Sequence, residues 1–149
     1  MKDMMDSAVK EAIYSAVERE PFAQALKMAL VELELGYSAV EMMYNPSTMD
    51  NIYDRAHGGA IFGLIDEAFE AACQTHGTVA VALNVNVTYV SSPEAGKLLR
   101  AEAREVTRTK KTTAYDIKVT EKEGRLIATC QALAYRTGKP IPFLKTSTG

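Results

Sequence analysis

The stretch from Gly58 to His76 constrains this chain more than any other part. Ala60, Ile61, Phe62, Leu64, Ile65, Ala68, Phe69, Ala71, Ala72 and Cys73 leave only Asp66, Glu67 and Glu70 charged between Gly58 and Cys73. Length and period predict a helix, and a helix apolar nearly all round has to be wrapped by other elements. The rest of the chain supplies the wrapping. Beyond Gly77, which is placed to end the helix, residues 79–89, 97–107, 112–120 and 125–136 alternate apolar and polar side chains. A period of two predicts strands, and the short turns between them predict that sequence neighbours pair.

Upstream, residues 6–19 carry Val9, Ile13, Ala16 and Val17 at helical spacing behind Asp6 or Ser7 as cap. Pro21 interrupts that helix, because the residue before a proline is pushed out of the helical region, and opens a second short one. From Leu30 the alternation changes phase: Val31, Leu33 and Leu35 share one parity, Val40, Met42 and Tyr44 the other, with Gly36 between. A slip of one residue predicts a β-bulge in a long bent strand. The expected fold class is α+β, an antiparallel sheet wrapped around a central apolar helix, with two N-terminal helices. Residues 1–30 read as a helical extension, 31–136 as the main domain, and 137–149, with two prolines, as a poorly packed tail.

At 149 residues the chain is long enough to bury one core. Its 17 basic and 19 acidic residues give a net charge of −2 and no nucleic-acid footprint. Cys73 and Cys130 form neither a metal spacing nor a disulfide framework, so a reduced, cytoplasmic setting is expected. The first residues lack the apolar core of a signal peptide, and no apolar run is long enough for a membrane span.

Chemistry concentrates between Asn51 and Asp66. Gly58 and Gly59 sit where the helix begins, and a helix start offers free N–H groups and partial positive charge. Gly59, Gly63, Asp66 and Glu70 fall on one stripe, Asp66 within about 20° of Gly59 around the axis. Asp66 reads either as a base or as a solvated, dimer-facing acid; Glu67 and Glu70 read as solvated or structural. A base and an oxyanion donor must reach the same carbonyl, yet seven residues of helix separate Gly59 from Asp66 by about 10 Å. Two antiparallel helices from a two-fold dimer would resolve this, each N-terminus lying beside the other's second turn. His57 either braces the loop with its ring or matters only through its backbone. His76 suits a cap beside Gly77, and both cysteines read as packing.

Asn51-x5-His57-Gly58-Gly59, then Asp66, then Asn84-Val85-Asn86-Val87-Thr88-Tyr89-Val90-Ser91-Ser92-Pro93, resembles the hot-dog-fold acyl-CoA thioesterases of the phenylacetyl-CoA thioesterase type, over residues 31–136. The resemblance implies hydrolysis of aryl or fatty acyl-CoA, no metal or cofactor, and homodimers commonly paired into homotetramers. It makes Asp66 the base or nucleophile and Gly59 the amide that polarises the thioester carbonyl. Asn51 would orient water or substrate, and His57 would shape the loop and site. Gly58, Val90, Ser91, Ser92 and the basic turn Arg108, Lys110 and Lys111 would lie along the coenzyme A path, although a solvated turn is the plainer reading of the last three. A helper hydroxyl known in a related branch aligns with Ala82 and is missing here, and the two N-terminal helices lie outside the core pattern. Two other readings stay open: a hot-dog dehydratase or hydratase, which needs a histidine–carboxylate pair, and a non-catalytic acyl-CoA-binding module.

Overall fold

The computed structural model describes residues 4–144. The chain runs α1 (Ser7–Arg19), α2 (Pro21–Ala25), β1 (Ala29–Glu34), β2 (Tyr37–Met43), α3 (Pro46–Met49), α4 (Gly58–Cys73), β3 (Thr78–Tyr89), β4 (Leu98–Arg108), β5 (Thr112–Glu121) and β6 (Leu126–Pro140). Asp6 caps α1 by accepting the Val9 N–H at 3.0 Å, and the helix buries Val9, Ala12, Ile13 and Val17. Pro21 opens α2 as expected. Among the described residues six strands form one antiparallel sheet in the order β1-β2-β4-β5-β6-β3. The sheet curls around α4, which contacts every strand. Leu64, Ile65, Ala68, Phe69 and Ala72 are fully buried there against Val40, Ala101, Ile117, Val119 and Ile127. Each large apolar side chain so buried contributes about 1.5–3 kcal/mol. Phe69 meets Tyr115 edge to face, with centroids 5.5 Å apart.

Four expectations are corrected. Residues 30–44 are not one bulged strand: β1 and β2 form a hairpin through Leu35-Gly36, where Gly36 takes φ 70°. A tight turn and a bulge both reverse the parity, so sequence alone did not separate them. Neighbour pairing fails once. β3 pairs with β6 at the sheet edge, and the connection after Tyr89 crosses the end of the curled sheet to reach β4. α4 stops at Cys73, capped by Gln74, and Gly77 comes after a further turn with φ 81°. β6 continues to Pro140 and Ile141 is buried, so the tail expected from residue 137 is packed at its start; residues 145–149 lie outside the described residues.

Candidate active site

An ordered loop delivers the chain to α4. The Tyr44 hydroxyl donates to Asp50, and the His57 N–H donates to the Met49 carbonyl at 2.7 Å. Asn51 folds back on this loop, its Oδ1 accepting the Tyr53 N–H at 2.8 Å and the Arg55 N–H at 3.2 Å. Among the described residues nothing engages its amide nitrogen.

His57 is the N-cap of α4, and its Nδ1 accepts the Gly59 N–H at 2.8 Å. That bond assigns the ring proton to Nε2. The amide expected as oxyanion donor is therefore held by the cap. Gly58 has a different reason to be glycine. The Tyr89 hydroxyl donates to its carbonyl at 3.1 Å, and a Cβ on Gly58 would stand 3.2 Å from the tyrosine ring. Tyr89 is visible in the sequence only as part of the strand motif; its place against the glycine pair is a contact between distant segments. Beside Gly59 a cleft of about 230 Å³ is lined by Phe22, Leu26, Met49, His57 and Ala60.

The expected stripe of two glycines and two carboxylates is split. Gly63 is buried beneath α2, and a Cβ there would lie 2.9 Å from Phe22 Cζ. The close approach this glycine allows is thus taken by the chain's own N-terminal helix. Asp66 is exposed on the single chain, with no hydrogen-bonding or cationic partner among the described residues; partial burial, then Glu20, raise its pKa above the ordinary 3.8. Of the two readings of Glu67, solvated or structural, burial leaves the structural one: it is 1% exposed and its Oε1 lacks any hydrogen-bond partner among the described residues. Burial first, then Glu20, raise the pKa of Glu67; for Glu70, partial burial and Glu20 act in the same direction.

The far end of α4 holds other groups. His76 Nε2 lies 2.8 Å from Glu105 Oε2, and Arg108 donates to His76 Nδ1, so His76 is a hydrogen-bonded link between Glu105 and Arg108 and not a simple cap. Lys110 and Lys111 are exposed in the turn that precedes β5. Val90 and Ser91 donate to the Ile127 carbonyl at 2.8 and 3.2 Å, and Ser92 is held by Arg125. Because the basic turn adjoins Tyr135 and Arg136 of β6, the two groups expected along one ligand path lie at opposite ends of that strand, roughly 26 Å apart. One chain does not bring them together. Burial pushes the Cys73 thiol up to about 12 and the Cys130 thiol up to about 11, as befits packing residues.

Residues 53–128 match the family model of the thioesterase superfamily. The acyl-coenzyme A thioesterase PaaI of Escherichia coli is 29% identical over 128 residues, 86% of this chain and 91% of that protein. Its solved structure superposes with a TM-score of 0.86 at 27% identity, covering 92% of this chain and 99% of the other. A match of that extent takes in at least part of residues 1–30, so the N-terminal extension is not foreign to all relatives. A proposed esterase of Archaeoglobus fulgidus is 33% identical over 141 residues, 95% of this chain and 89% of its own. A Streptococcus mutans protein solved with acetyl-CoA bound is also similar, with a TM-score of 0.72 at 28% identity, covering 76% of this chain and 91% of that one. The chain belongs to the thioesterase superfamily, as a hot-dog-fold member of the PaaI type.

Proposed function

We propose that this thioesterase hydrolyses aryl or medium- to long-chain fatty acyl-CoA to the free acid and coenzyme A, at two composite sites of a two-fold dimer. The observation that carries the reading is the placement of Gly59 and Asp66 on one helix, the acid exposed and without a partner among the described residues. At about 10 Å they are too far apart to serve one carbonyl within a chain. β3 supports the dimer: it is a twelve-residue edge strand whose Val81 and Leu83 are 48% and 57% exposed. Such an edge invites pairing with another strand. Antiparallel pairing of two β3 edges would also bring one chain's basic turn toward the other's Val90–Ser92 end. Pairing of dimers into tetramers belongs to the same proposal.

In the mechanism, the thioester carbonyl takes the Gly59 N–H from His57 Nδ1. The amide and the helix dipole then stabilise the developing oxyanion, a contribution of about 2.7–4 kcal/mol for one such donor. Asp66 of the partner subunit removes a proton from water as that water attacks, or attacks the carbonyl itself to give a mixed anhydride that water then opens. Either route expels the thiolate of coenzyme A, which needs no strong acid. Asn51 offers its free amide nitrogen to water or carbonyl. Val90, Ser91 and Ser92 flank the pantetheine, and Lys110 and Lys111 meet the phosphates, Arg108 being already engaged by His76.

One observation speaks to the dehydratase reading: His76 and Glu105 form the pair such chemistry needs. They sit at the C-terminal end of α4, however, remote from the Gly59 amide. Thiol release from a panel of aryl and fatty acyl-CoAs tests the proposal. Release is the expected result; binding without release indicates an acyl-CoA-binding module, and hydration of an enoyl-CoA indicates the dehydratase.

A further inference from the structure

The acids on α4 gather around a group the thioester chemistry leaves unused. Glu20 lies at the break between α1 and α2, and one carboxylate oxygen from each of Glu20, Glu67 and Glu70 falls within 4.8 Å of the others. Clustered acids are common on surfaces without a ligand, but Glu67 is not on the surface. It is 1% exposed, and its Oε1 has no hydrogen-bond partner among the described residues. None of the ion pairs among the described residues involves Glu20, Glu67 or Glu70. Glu20, at the junction of α1 and α2, lies beside Glu67. A buried carboxylate without a donor is costly. A proton shared with the neighbouring Glu20 carboxyl, or a small cation entering between the α1–α2 junction and α4, can satisfy it.

We propose that Glu20, Glu67 and Glu70 bind one hard divalent cation, of the size of Ca²⁺ or Mn²⁺, that fastens the N-terminal helices to the central helix. All-oxygen ligands suit such ions, and Ca²⁺–oxygen distances of about 2.3–2.6 Å place oxygens on opposite sides of the ion about 5 Å apart. The spacing of the three carboxylates falls inside that span. Water completes the shell on the Glu70 side, which is exposed. The cation serves attachment: it holds down the helix pair whose Phe22 packs over Gly63. The hydrolysis proposed above does not require it.

The test uses the full chain, stripped with chelator and desalted, and Mn²⁺ alone as probe. Loss of the free Mn²⁺ signal in electron paramagnetic resonance should report one site per chain, with a dissociation constant at or below roughly 10⁻³ M, displaced by Ca²⁺. Added Ca²⁺ should raise the melting temperature in a concentration-dependent way. Glu67→Gln and Glu20→Gln should each weaken Mn²⁺ binding about tenfold or more. Glu70→Gln, at an exposed position that cannot compromise folding, should weaken it as well. Asp66→Asn should abolish turnover and keep Mn²⁺ binding, which separates this site from the thioester reading. Absence of saturable Mn²⁺ binding overturns the proposal, as does binding that both Glu67→Gln and Glu70→Gln leave unchanged.

Discussion

Two groups of acids on this protein live in opposite circumstances. On the outer face of β1, β2 and β4, Arg100 bonds Glu32 at 2.9 Å and Glu102 at 3.0 Å, and Arg104 joins Glu102 at 3.0 Å while lying over the Tyr37 ring. The hydrogen bond to Arg100 holds Glu32 below the usual carboxylate range. Burial works against Glu102, and Arg100 outweighs it, so that carboxyl too is held low. Around α4, Asp66, Glu67 and Glu70 have no cationic partner among the described residues; burial first, then Glu20, push all three the other way. The chain has 17 basic residues, so cations are not scarce. They are placed elsewhere. Acids left unpaired in partly apolar surroundings are candidates for functional groups.

Substitution should bring out this difference, most strongly at the proposed base. Asp66→Asn is expected to lower kcat about 10²–10⁴-fold, with KM moving far less; unchanged kcat would make Asp66 an ordinary surface acid. Next comes Glu67→Gln. With chelator present, it should raise unfolding stability by about 1–3 kcal/mol in urea, since it removes an uncompensated buried carboxylate. Lost stability would show that Glu67 is already satisfied. The smallest effect has the opposite sign. Glu102→Gln should cost about 0.2–1 kcal/mol, because it takes an acid away from two arginines near solvent. Since the folded-state pKa of Glu102 lies below the ordinary 4.5, its contribution is present above that pH and disappears as pH falls through the folded value. The wild-type and Glu102→Gln stability curves should therefore converge on acidification, and parallel curves would break the assignment.

What the sequence made readable follows the range of the interactions involved. The central helix, its glycine start and the carboxylate at 66 were visible because each is local: an apolar run, a cap and a spacing along one helix. The Leu35-Gly36 hairpin was not, since its parity change is the one a bulge would produce. The position of β3 at the edge was hidden because short connections favour neighbours, and nothing local announces that a curled sheet lets one strand cross its end. Which reading of Glu67 applies, solvated or structural, is likewise decided by contacts distant in sequence. Glu20, which lies beside it, comes from the α1–α2 junction. His57 was legible as a loop residue, but the capture of the Gly59 amide by its Nδ1 depends on a side-chain rotation that no spacing encodes.

The claim at the centre is that each site takes its amide from one chain and its acid from another. Heterodimers of Asp66→Asn and Asn51→Ala chains, purified through two different tags, test it directly. Both homodimers should be inactive, while the heterodimer, with one site of two intact, should recover about half the wild-type rate of thiol release. A heterodimer as inactive as its parents would contradict the account.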